Sequence, residues 1–246
     1  MKYSKTIAGG ALCLSLMAGC GAAHKDKPAE TSTVQFKKGE VVKEFEKFYA
    51  NYVANMSVAY RGSADAYFKA SIENNKANWD KVAEFDMKAN AFLSDKARFD
   101  TLKAFKNNPE ITDALQKRQI ELLYNEFAPK QIDTNKLNEL TKMGTAIEEK
   151  YSGYRTEFKG KKISDNDVED ILQKSTNNED LKNVWTAQKQ IGKLVAQDII
   201  ALVKKRNEIA KSLGYENYHT MSLTLSEEDP KEIERLFDEL DKLTAP

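Results

Sequence analysis

Histidines, cysteines and paired carboxylates are the side chains that hold metals and move protons, and this chain has 2 histidines and 2 cysteines in 246 residues. Zinc hydrolysis needs three protein ligands, an open position for water and a carboxylate base. Its helical form is H-E-x-x-H, which places two imidazoles one turn apart on one face. His24 and His219 are nearly the length of the chain apart, and neither has a histidine neighbour at that spacing. Glu216-Asn217-Tyr218-His219 matches the E-x-x-H step of carboxylate-bridged di-iron sites. Those sites need two copies on separate helices, so the match is accidental. No G-x-S-x-G elbow, phosphate-binding loop or Cys-His pair occurs. Glu148-Glu149 and Glu227-Glu228-Asp229 are sequence neighbours, which do not face each other on a helix, and they read as solvated faces and caps. Lys204-Lys205-Arg206 reads as an exposed helix face. No catalytic, cofactor-binding or metal-ligating residue is assigned in this chain.

Composition narrows the partners. Lys plus Arg (38) balances Asp plus Glu (38), so no overall field draws the chain to nucleic acid, and none is expected as a partner. With 31% charged residues, 5 prolines and 11 glycines, long uninterrupted helices are expected.

The first residues, MKYSKTIAGGALCLSLMAGC, differ from all that follow. Lys2 and Lys5 precede a short apolar run that suits a signal-peptide core and is too short to span a bilayer comfortably. Leu16-Met17-Ala18-Gly19-Cys20 resembles a bacterial lipobox, with Met17 where leucine is more usual. This pattern makes 1–19 a signal peptide and Cys20 the lipid attachment point, and it leaves no disulfide in the mature chain. An ordinary cleaved signal or an uncleaved anchor is the alternative. Several acyl chains on one residue anchor stably, at about 0.8 kcal/mol per buried CH₂. Residues 20–38 are small, polar and aperiodic, and read as a flexible tether. The protein is therefore expected as an exported, membrane-anchored lipoprotein of the cell envelope.

From residue 39 the apolar pattern is helical. Phe45, Phe48, Tyr49, Tyr52, Val53, Met56, Tyr60, Tyr67 and Phe68 form an aromatic stripe on one helix over 40–74, with Gly62 as its weak point. Further helices are expected around Trp79–Leu93 and Phe99–Phe105. Another should start at Asn108-Pro109 and end by Pro129, and the next is capped by Asp133 and runs towards Phe158. Ser164 and Asp167 form a capping pair. One long stripe then runs from Leu181 to Leu213, closed by Gly214. Asp229-Pro230 with Glu232 starts a last helix whose stripe, Ile233, Leu236, Phe237, Leu240 and Leu243, needs a partner surface. No alternating strand is read. The fold class is all-α.

Two segments carry a resemblance. The stretch VKKRNEIAKSLGYENYHTMSL, with Trp185 before it and ERLFDELDKLT after it, is similar to the angiotensin-converting-enzyme-like peptidyl dipeptidases, particularly their bacterial members. FLSDKARFDTLKAFKNNPEITDALQKRQIELLYNEFAPKQID resembles the N-terminal half of that family, so the likeness covers most of 40–246. The resemblance implies an all-helical zinc metallopeptidase that releases C-terminal dipeptides, with its first helices as a lid over a deep cleft. The family's H-E-x-x-H lies in its second half, which this chain does not resemble. Long antiparallel helices forming the lid and one cleft wall are therefore expected over 39–246. Zinc is implied for the full-length member, and a peptide substrate once the second half is present. By register from Trp185, a chloride-binding arginine falls at Lys189 and an acidic cleft residue at Asp165; surface charge is the competing role for each. Tyr215, Tyr218 and His219 are expected to pack at a helix–turn–helix element, tips outward. The alternative function is a non-catalytic helical lipoprotein that binds peptides or a protein.

Overall fold

The computed structural model describes residues 34–245; Cys13, Cys20 and His24, with the expected signal peptide and the first part of the expected tether, lie outside them. Ten α-helices and one small hairpin follow within those residues. The helices are α1 (Val41–Ile72), α2 (Lys76–Leu93), α3 (Lys96–Lys106), α4 (Ala114–Phe127), α5 (Thr134–Gly153), α6 (Asp165–Lys174), α7 (Asn178–Gln188), α8 (Ile191–Ser212), α9 (Tyr218–Leu225) and α10 (Pro230–Thr244). Chain boundaries are set locally. Asn75, Asp95, Asp113, Asp133, Ser164, Asn177, Asn217 and Asp229 each accept a backbone N–H of the following first turn. A cap of this kind contributes about 1 kcal/mol. The two helices without a side-chain cap, α1 and α8, are the longest at 32 and 22 residues, and their packing must hold them instead.

The main core forms where α1 lies on α3 and α4. Phe45, Met56, Leu102, Phe105, Ile120 and Phe127 are fully buried there. Phe105 meets Phe45 edge-on at 5.5 Å, and Phe36, before the first helix, stacks on its other side at 4.5 Å. Edge and offset contacts of this kind are the arrangements the ring quadrupole favours. A second cluster, Ala66, Ala70, Trp79 and Val82, joins the far half of α1 to α2, with the Trp79 indole N–H donating to Asn74 at 2.6 Å. Gly62 is what lets these two helices approach. A Cβ there would sit 2.2 Å from the Phe85 ring.

Helices α5 and α8 run antiparallel, a direction fixed by three ion pairs along their seam. Lys136 meets Glu208 at 3.6 Å, Glu139 meets Lys205 at 2.9 Å, and Lys150 meets Asp198. As partners rise along one helix they fall along the other. Exposed pairs contribute at most about 1 kcal/mol each, so they set register more than stability.

The all-α class stands, with three local corrections. Residues Thr156–Phe158 (β1) and Lys161–Ile163 (β2) pair as an antiparallel hairpin where a helix reaching Phe158 was expected. Tyr154 is already extended, and Lys159 (φ 50°) and Gly160 (φ 74°) make the two-residue positive-φ turn that matches strand twist. Helix α4 starts after Asp113, because Asn108 spends its side chain on the Glu110 N–H in a turn. The stripe from Leu181 to Leu213 is two helices, divided by tightened i→i+3 bonds at Gln190, Gly192 and Lys193. The division lets Val184 join Val168 and Thr156 in being fully buried.

Candidate functional site

A cleft of about 1080 Å³ opens between α1 and α2 on one side and α5, α8 and α9 on the other, with α4 closing one end. Its wall on α1 carries Tyr60, Tyr67 and Phe68, all substantially exposed. Its opposite wall carries Glu148, Arg206, Tyr218 and the buried Met221. Arg206 lies over the Tyr218 ring at 5.1 Å, a cation–π contact that holds both side chains against the wall. Asn207 supports the same corner by accepting the Tyr218 backbone N–H at 2.9 Å.

The end of the cleft is polar. Tyr52 and Tyr60, two helical turns apart on α1, both donate their hydroxyls to Glu126 on α4; the Tyr52 bond is 2.5 Å. Burial first, then the neighbouring Glu126 carboxylate, pushes both phenols well above the ordinary tyrosine value of 10.0. Ser63 donates to Asp86 at 2.6 Å. Lys130, on the 3₁₀ turn Ala128–Lys130 after α4, donates to Asn90 Oδ1 at 3.0 Å, and Asn90 Nδ2 donates to Thr141 at 2.9 Å. Burial lowers the lysine's affinity for its proton, while Asp86 and Glu126 act in the opposite direction. These residues come from α1, α2, α4 and α5, with partners 23 to 74 positions apart. No spacing rule in the sequence could have gathered them.

The residues singled out from sequence mostly lie elsewhere. Of the half-polar cluster after α8, Tyr218 lines the cleft, Tyr215 is half-buried, and His219 and Glu216 are exposed outside it. Glu148 lines the cleft and Glu149 does not. Lys205 pairs with Glu139, and Arg206, read as an exposed face, turns into the cleft. Glu227 accepts from both terminal guanidinium nitrogens of Arg118 on α4, and Asp229 caps α10. Asp165 opens α6, exposed and away from the cleft. Lys189 stands 5.7 Å over the exposed Trp185 ring, also away from it.

Zinc is the cofactor to test. Among the described residues no three His, Cys, Asp or Glu side chains are grouped so that they could hold a metal ion. His219, the one histidine among them, is exposed and off the cleft. These residues do not fit a hydrolytic zinc, and no chemical step is routed through one. No helix among the described residues is long and apolar enough to cross a membrane.

The described helices thus frame one aromatic-walled cleft. The family model described as angiotensin-converting enzyme, a peptidase family, matches residues 40–244. The chain belongs to that family. No curated protein matches the sequence.

Proposed function

We propose that these residues form the lid and one substrate-binding wall of a zinc-dependent peptidyl dipeptidase, an enzyme that releases dipeptides from peptide C-termini. The observation that carries the reading is the cleft of about 1080 Å³ inside a segment matched to a peptidase family over 40–244. Helices α1 and α2 act as the lid, and α5, α8 and α9 as the wall against which peptide lies. Metal, water-activating base and the chemistry of cleavage come from polypeptide carrying H-E-x-x-H, a motif absent from these 246 residues. The protein is exported and held at the membrane by lipid on Cys20. Photo-crosslinking a peptide bearing a reactive group, followed by mass spectrometry, tests the reading. Labels on Tyr67, Lys130 or Met221 are expected; labels confined to surfaces outside the cleft would overturn it.

One observation favours a second reading. Because the sequence contains no H-E-x-x-H, the same cleft would also suit a surface lipoprotein that binds peptides without cutting them. Both readings predict crosslinks in the cleft. Only the first predicts dipeptide release once a polypeptide with the zinc motif is supplied.

A further inference from the structure

The polar end of the cleft contains a cation that is neither paired nor free to wander. Asn90 is 5% exposed, and its amide is oriented by the bond it donates to Thr141, whose own hydroxyl donates to the Leu137 carbonyl at 3.2 Å. With Nδ2 so used, Oδ1 faces Lys130 and fixes the ammonium at 3.0 Å. An ammonium has three N–H donors. Among the described residues Lys130 uses one, and it makes no ion pair. Its remaining N–H groups lie in the cleft, where a ligand oxygen can accept from them.

The surrounding charge decides what kind of oxygen. Glu126 has both carboxylate oxygens occupied by tyrosine hydroxyls, and Asp86 has Oδ1 occupied by Ser63. Asp86 Oδ2 has no donor among the described residues. Lys130 against Asp86 and Glu126 leaves this end of the cleft one charge negative. A carboxylate ligand would meet two carboxylates near its single cation, and an ammonium ligand could pair with Asp86 but offers no acceptor to Lys130. A group offering one acceptor and one donor side by side answers Lys130 and Asp86 Oδ2 together. One residue of an extended peptide, whose own N–H and C=O point to the same side, is such a group.

We propose that Lys130 and Asp86 form a main-chain docking subsite, in which a peptide carbonyl accepts from Lys130 Nζ and a peptide N–H donates to Asp86 Oδ2. The subsite rests on the reading that the cleft receives peptide, and specifies how: it grips backbone and is indifferent to the charge of the residues bound. The exposed rings of Tyr67 and Phe68 on the same cleft face side chains of the peptide without selecting among them.

Fluorescence anisotropy of dye-labelled hexapeptides, blocked at both ends, with the full chain tests this. The uncharged peptide should bind, and replacing one residue by Glu or by Lys should change affinity by less than about threefold, since no formal charge is paired. Lys130→Met should weaken binding at least about tenfold, the worth of one hydrogen bond to a charged donor. Lys130→Gln, which keeps amide N–H donors, should recover most of the loss, and Asp86→Asn should weaken all three peptides alike. Thermal melts of each variant separate loss of binding from loss of fold. Binding that is unchanged in both Lys130→Met and Asp86→Asn would overturn the subsite and leave the cleft reading intact. Affinity that follows the charge of the peptide would also overturn it. Absence of binding by the unaltered chain to every peptide would overturn the cleft reading itself.

Discussion

Tyr52 and Glu126 lie 74 positions apart in the chain and meet at 2.5 Å, the phenol donating to Oε2 of the carboxylate. Tyr60 takes the other oxygen. One carboxylate thus clamps two points of α1, the helix that forms one wall of the cleft, onto α4. Replacing either tyrosine by phenylalanine removes a charge-assisted bond and leaves an oxygen of Glu126 unmatched. We expect a loss of about 1–2 kcal/mol in urea unfolding for each. Because both bonds end on one group, the double variant should be non-additive, and a double-mutant cycle will show a coupling above about 0.5 kcal/mol.

The same clamp gives the protein an alkaline limit. Both phenols titrate above their ordinary value of 10.0 in the folded state, through burial and then Glu126. Above pH 10 the unfolded chain loses these protons first, so the folded state holds more, and stability falls as pH rises. Below pH 10 the two states hold the same phenolic protons and the contribution is constant. Urea midpoints measured from pH 8 to pH 11 should drop at the upper end. The drop should be smaller in the Tyr52→Phe, Tyr60→Phe double variant.

Gly62 is required by closeness and by nothing in its own backbone. A methyl there would overlap the Phe85 ring. Overpacking costs about 1–3 kcal/mol, against about 1 gained from the better helix former. Gly62→Ala should therefore lower the melting temperature. Adding Phe85→Leu should restore part of the loss by making room.

Thr156 is fully buried on β1, and its hydroxyl has no hydrogen-bond partner among the described residues. Valine has nearly the same shape without the unmet polar atom. Thr156→Val should raise stability by about 1 kcal/mol, read as a higher urea midpoint at unchanged slope.

Much of the frame was legible from residue spacing. The caps at Asp133, Ser164 and Asp229 were visible because a cap needs only its own side chain and the next turn. Ser164 even forms a reciprocal box with Asp167, where glutamate is the usual partner. The hairpin was hidden because Lys159-Gly160 lacks the asparagine or aspartate that advertises a positive-φ pair, and Tyr154 and Phe158 continue the helical rhythm of α5 by coincidence. The stripe on α1 was visible, yet only its first half is core: Phe45 is buried, while Phe68 is 67% exposed on the cleft wall. Periodicity reports which residues share a face and is silent on what covers it. The polar end of the cleft was invisible for a stronger reason. Asp86, Asn90, Glu126 and Lys130 are ordinary helix-surface residue types, joined only by tertiary packing.

The stripe on α10 also emerges uncovered, with Phe237 at 68% and Leu243 at 81% exposure. Its one strong local feature is the Arg235 guanidinium, held between Glu232 and Glu239 on its polar side.

In the proposed function these residues bind peptide and other polypeptide supplies the cleavage chemistry. Mass spectrometry of a peptide incubated with the purified chain and added zinc tests that division most directly. We predict an intact peptide, with no dipeptide released above the buffer control. Release that a chelator abolishes would contradict the account, because among the described residues no three His, Cys, Asp or Glu side chains are grouped to hold a hydrolytic metal.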